Sequence, residues 1–287
     1  MRIVFIFLFM ASLFQIHAQG RSYDMLFSVD ANHRPSGWLV GMGASTLWGQ
    51  SEHEIDFLAI PESPDAGSYL GTFNPAGRVG FHGEFGMFWL TENSVFDYID
   101  ATLSYKQHLG SESFTAIKQP NALDTLADFL EGQGNFTQDQ LALNFNLNKA
   151  FPFKQHWYAL AGLGADVEYR VINNAEYDFN HPSLSMEAPD ESLNAHFHVK
   201  IGAGYKTSAS SWLSLTAETP LQNITPFNGI ESRKALFNSK YRPILITLRY
   251  QWLRKRPARE CPTGPNKQNM KKKRKGGRGG TKDGQIR

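Results

Sequence analysis

The sequence predicts an all-β fold: an eight-stranded antiparallel up-and-down transmembrane β-barrel with a disordered basic C-terminal tail. Three observations carry that expectation. Eight runs of about ten residues alternate apolar with small or polar side chains, the period-2 signature of strands with one apolar face. The connections between the runs alternate in length. Charge is divided unevenly: residues 254–287 hold 13 of the 29 Lys and Arg but only two of the 27 Asp and Glu, leaving 16 bases against 25 acids in the preceding body.

Residues 1–18, MRIVFIFLFMASLFQIHA, place one base before an apolar run and end on a small residue, the pattern of a cleavable secretion signal. The run is too short to span a bilayer as a helix, and no stretch of roughly 18 apolar residues follows it. The lone cysteine, Cys261, excludes an internal disulfide framework. Residues 19–35 read as a periplasmic lead-in rather than an extra strand, and residues 36–253 as the barrel.

The first run, Trp38 to Trp48, sets Trp38, Val40, Met42 and Trp48 against Leu39, Gly41 and Gly43. Its two tryptophans stand about 25 Å apart along the membrane normal at ordinary strand rise and tilt, the height of a barrel's apolar band between aromatic girdles. The second run places Val79, Phe81, Phe85, Met87 and Trp89 opposite Arg78, His82 and Glu84. The third sets Ile99, Ala101, Leu103 and Tyr105 against Asp100, Thr102, Ser104 and Lys106. The fourth, LALNFNLN, alternates Leu141, Leu143, Phe145 and Leu147 with Ala142, Asn144, Asn146 and Asn148. In the fifth, from Trp157, residues Leu163, Val167 and Tyr169 oppose Asp166, Glu168 and Arg170. The sixth opposes Leu193, Phe197, Val199, Ile201 and Tyr205 to Asn194, His196, His198 and Lys200. Leu213, Leu215 and Ala217 face away from Ser214, Thr216 and Glu218 in the seventh. The last puts Ile244, Ile246, Leu248, Tyr250 and Trp252 outward, with Thr247, Arg249 and Gln251 inward.

The connections 50–73, 111–134, 174–192 and 222–239 are long and polar, whereas 91–94, 149–155 and 208–211 are short. Transmembrane barrels of bacteria pair long extracellular loops with short periplasmic turns and an even strand count. This rhythm puts both termini in the periplasm and the barrel in the outer membrane. With its signal, eight strands and loop rhythm, the chain resembles the small eight-stranded outer-membrane barrels of the OmpA transmembrane-domain, OmpX and PorT-like type over residues 36–253. The resemblance implies an architecture and no particular chemistry. A secreted, lipocalin-like barrel would turn its apolar face into a cavity instead, and girdle spacing and inward charges oppose that.

With the apolar faces on lipid, the lumen receives Arg78, Lys106, Arg170, Lys200 and Arg249 together with Glu84, Asp100, Asp166, Glu168 and Glu218. Five bases against five acids read as a paired polar core, because an eight-stranded interior is filled by side chains and buried charges need partners. A narrow channel is the alternative. His82, His196 and His198 also point inward; His196-x-His198 has chelating spacing, but hydrogen bonding to lumen carboxylates is the simpler reading, so no metal or other cofactor is expected. Trp38, Trp48, Trp89, Trp157, Tyr169, Tyr205, Tyr250 and Trp252 are the expected girdle.

No nucleophile and base can be assembled on the lipid face, so an enzyme that modifies lipid A is the secondary reading and a non-enzymatic protein the primary one. Residues 254–287 are too polar to fold alone, and Lys271, Lys272, Lys273, Arg274, Lys275 and Arg278 form an anion-contacting tract. Its compartment excludes nucleic acid and offers outer-membrane lipid, peptidoglycan or a protein partner. The expected function is an envelope scaffold or, as the PorT-like resemblance implies, a component of a secretion or assembly machine.

Overall fold

The computed structural model describes residues 27, 29, 32–50, 55–56, 69–91, 95–118, 129–179, 192–225, 227, 233–236 and 239–257. The expected secretion signal, residues 1–18, and the basic tract Lys271–Lys275 with Arg278 lie outside these residues.

Eleven strand segments occur in chain order: β1 (His33–Gln50), β2 (Ile55–Asp56), β3 (Tyr69–Arg78), β4 (Gly80–Leu90), β5 (Tyr98–Lys118), β6 (Phe129–Pro152), β7 (Trp157–Phe179), β8 (Leu193–Ser208), β9 (Ser211–Thr225), β10 (Lys234–Ala235) and β11 (Lys240–Lys255). β3 and β4 form one stave, interrupted at Val79, and both pair with β5. Each stave then pairs antiparallel with the next along the chain, from β5 through β6, β7, β8 and β9 to β11. β1 closes the ring by pairing with β4 on one side and β11 on the other, Trp38 standing opposite both Met87 and Trp252. The result is a closed, antiparallel, eight-stave barrel, and closure leaves no sheet edge within the ring.

The alternation in the sequence becomes a radial division. Met42, Phe81, Phe85, Leu103, Leu143, Phe145, Val167, Phe197, Ile201, Leu215, Ile246 and Leu248 all point outward and are exposed, while the intervening polar positions are buried. A continuous apolar belt far exceeds the patches that soluble proteins leave in water, so this is the surface of a membrane-spanning barrel. Each stave is paired on both sides, so the ladders close within the ring, as a bilayer requires.

The staves run further than the hydrophobic pattern suggested. The β5–β6 ladder continues unbroken from Tyr98 opposite Asn148 to Ile117 opposite Phe129, through most of the expected loop 111–134. β7 continues to Phe179 and β3 begins at Tyr69, inside the other expected loops. Twenty-one residues of β5 extend roughly 70 Å at about 3.3 Å per residue, so even tilted they outreach the apolar band. Beyond lipid neither face must be apolar. The ladder therefore persists where the period-2 signal fades, as in Ser111, Gly132 and Asn135. At the other edge of the barrel the ladder reaches His33 and Lys255, slightly beyond the expected bounds 36–253, and Arg256 N–H donates to Asn32 O at 2.8 Å.

Apolar clusters fill both ends of the interior. At the short-turn end, Phe27 from the lead-in makes edge contacts with Tyr98, Tyr158 and Trp212 at centroid distances of 5.6, 5.7 and 5.0 Å. Leu39, Phe88, Ala150, Leu160 and Leu253 complete that cluster. At the long-loop end, Leu47, Phe136, Leu236 and Tyr241 pack together. Between these two clusters lies the polar core.

Candidate functional site

The polar core is assembled by strand register. Asp100 on β5 faces Asn146 on β6, Asp166 on β7 faces His196 on β8, and Lys200 on β8 faces Glu218 on β9. Long side chains then reach past immediate neighbours. Lys106 Nζ crosses β6 to donate to Asp166 Oδ2 at 2.5 Å and to Glu168 Oε1 at 2.9 Å. The small Ala142 occupies the intervening position between Ser104 and Glu168.

On the opposite wall Arg249 Nη2 donates to Glu84 Oε2 at 2.6 Å, and its Nη1 lies 3.5 Å from Asp100 Oδ2. The Glu84 carboxylate fills the space beside Gly41, where any Cβ would collide with it. Asp100 also accepts from Asn146 Nδ2 and Asn148 Nδ2, both at 2.7 Å. Asn146 Oδ1 in turn meets His198 Nε2 at 2.6 Å, an approach that Gly164 permits by lacking a side chain. Glu218 Oε2 stands 3.4 Å from Lys200 Nζ and 3.7 Å from His198 Nε2. These ions sit in a low-dielectric interior, where a charge is tolerated only with a partner.

His82, Glu84, Asp100, Lys106, Asp166, Glu168, Arg170, His196, His198, Lys200, Glu218 and Arg249 are all buried in the lumen. Arg170 faces the Gln138 amide, on the long-loop side of the Lys106 cluster. Arg78 departs from the expectation: it is exposed on the outer face. Residues 79–81 stand against only two residues of β5, 107 and 108, so a one-residue bulge reverses the inward parity between β3 and β4. Odd positions such as Phe73 point inward before the bulge and even positions such as His82 after it.

Lys234 is a buried lumen base that the alternation did not point to. It lies in the expected loop 222–239, on β10, and its buried ammonium pairs with Glu168 Oε2. Glu112 joins the same end, accepting from Tyr241 Oη at 2.8 Å and from Ser239 N–H at 3.1 Å. His108 and Glu112 lie on the inward parity of β5, so extending the third run past Lys106 would have found them. Lys234 has no such signal, because a loop has no period. Among the described residues, buried carboxylates number seven (Glu84, Asp100, Glu112, Asp139, Asp166, Glu168, Glu218) and buried bases five (Lys106, Arg170, Lys200, Lys234, Arg249).

The girdle residues all face outward. Trp38, Trp89, Trp157, Tyr205, Tyr250 and Trp252 gather toward the short-turn rim, where Trp157 meets Tyr205 at 5.0 Å and Tyr250 stacks on Trp252 at 5.6 Å. Arg254 lies over the Trp38 ring at 5.7 Å. Trp48 and Tyr169 mark the opposite rim, exposed by 70% and 56%. Two aromatic rims around an apolar belt are the outer surface expected at the two bilayer interfaces.

No protein-family model matches the chain, and no curated protein is significantly similar to it. Among solved structures, the chain is similar to the outer membrane protein OprG from Pseudomonas aeruginosa, with a TM-score of 0.36 and 9% identity over 78% of this chain and 97% of that one. It is also similar to Ail, the attachment invasion locus protein of Yersinia pestis, with a TM-score of 0.25 and 10% identity over 76% of this chain and 97% of that one. Both similarities are faint, and the membrane assignment rests on the belt and the girdles.

Proposed function

We propose that this chain is a non-enzymatic outer-membrane barrel that serves as an envelope scaffold or as a component of a secretion or assembly machine. Its working surfaces are the ends, namely the ladder beyond the bilayer and the basic tail, while the barrel is their anchor. The observation that carries this reading is the filled interior: an ion-paired core between two apolar clusters, with Phe27 seated in one of them. Such a lumen favours an anchor over a narrow channel. Four short-turn-side features support periplasmic termini: the lead-in, the C-terminal strand end and the turns at 91–97 and 153–156 lie at the same end. An acyl hydrolase working on lipid A would need a base on the lipid face, whereas His82, His108, His196 and His198 are buried inside.

The tail, with its five consecutive bases from Lys271 to Lys275, contacts peptidoglycan or a protein partner by salt-sensitive attraction, each base contributing about 1 kcal/mol near an anionic surface. The test is a crosslinking pull-down from native envelopes, full-length chain against a form ending at Pro257. That end point keeps Arg256 N–H on Asn32 and Arg254 over Trp38. Recovery of peptidoglycan or a specific protein only with the tail present supports the anchor reading. Identical recovery by both forms removes the tail from it, and altered lipid A mass on overexpression would replace it with the enzyme.

A further inference from the structure

We propose that Asp166, His196 and His198 form a binding site for a divalent transition-metal ion at the centre of the barrel lumen. Alternation along β8 puts the two imidazoles on one inward face, their centroids 6.1 Å apart, and the β7–β8 register sets Asp166 opposite His196. One donor atom from each residue lies within 4.8 Å of the others. Asp166 Oδ1 is 2.8 Å from His196 Nε2 and 3.8 Å from His198 Nδ1. Donors around a tetrahedral zinc ion stand about 3.3 Å apart when its bonds are about 2.0–2.1 Å, and the observed separations bracket that value. Two imidazoles and one carboxylate suit zinc, nickel, copper or iron rather than magnesium or calcium.

A second observation concerns unused donor capacity. Asp166 Oδ1 and His198 Nδ1 are buried and make no hydrogen bond of good geometry; Oδ1 has instead the ion-pair contacts to His196 Nε2 and His198 Nδ1. The remaining atoms of both groups are held as an outer shell of a metal site would hold them. Asn146 donates to Asp100 through Nδ2, which turns its Oδ1 toward His198 Nε2–H and leaves the lone pair on Nδ1. Lys106 occupies Asp166 Oδ2 and leaves Oδ1. A small cavity lined by His196, Lys106 and Glu168 has room for about one water. Lys106 is a nearby like charge for the ion, but its ammonium already stands within 4.0 Å of three carboxylates, those of Asp166, Glu168 and Glu218.

The test uses the full chain carrying Cys261→Ser, folded into detergent micelles in the presence of zinc or cobalt(II) and then desalted. One ion retained per chain is expected, with a visible cobalt absorption typical of a four-coordinate nitrogen and oxygen site. Each of His196→Asn, His198→Asn and Asp166→Asn is expected to weaken retention at least about tenfold. Equal retention by the variants, or no retention by the parent, overturns the site. Folding of each variant is checked by heat-dependent gel mobility. Should one fail to fold, X-ray absorption of the parent decides: a shell with two imidazoles supports the site, and an oxygen-only shell overturns it.

Discussion

Lys106 and Asp166 are 60 residues apart in the chain and two staves apart in the barrel, yet Nζ and Oδ2 meet at 2.5 Å with both side chains buried. The same ammonium holds Glu168 at 2.9 Å, so one base organises two carboxylates. Removing it leaves Asp166 with the neighbouring imidazoles alone and Glu168 with Lys234 as its one base.

Lys106→Met is therefore expected to destabilise the folded barrel by about 3–5 kcal/mol, the cost of an uncompensated buried charge. Adding Asp166→Asn should recover much of that loss, because Glu168 keeps the Lys234 ammonium. Denaturant titration in micelles measures both forms. A single variant as stable as the parent would show that the pair is not a working part of the core.

Lys234 reaches the same carboxylate from outside the staves. Because Glu168 keeps Lys106 when Lys234 is lost, Lys234→Met should cost only about 1–3 kcal/mol. The loss falls on the segment bearing Lys234, which also sends Leu236 into the long-loop cluster. Protease added to intact cells should cut residues 222–239 about tenfold faster in the variant. Unchanged cutting would mean that the ion pair does not hold the segment down.

Phe27 is 8% exposed and touches three aromatic rings at the short-turn end. Truncation to Ala should cost about 3 kcal/mol from lost burial and the space left behind. It should also alter the emission of Trp212, whose indole meets Phe27 edge-on. Planar-bilayer recording provides a further check, since the polar core should keep the variant non-conducting. Discrete conductance steps in Phe27→Ala would identify the segment as a channel plug.

The eight staves, their inward and outward faces and the aromatic rims were legible in the sequence because lipid enforces them locally. A residue such as Leu143 or Phe145 must meet hydrocarbon, so its neighbours Asn144 and Asn146 must turn inward, and two-residue alternation records the fact. Residues such as Asp100, Lys106, Asp166 and Arg249, which the alternation turns inward, are buried. Arg78 is exposed instead because one extra residue at 79–81 reverses parity, and a bulge is visible only against a partner strand.

What the sequence determined by itself was therefore the direction in which each membrane-level side chain points. Its partner was decided by tertiary structure. Whether Lys106 meets Asp166, whether Asn146 meets His198, and whether Lys234 and Phe27 enter the barrel depend on register, closure and the diameter of the ring. Those quantities are set by all eight staves together, and no local pattern of residues encodes them.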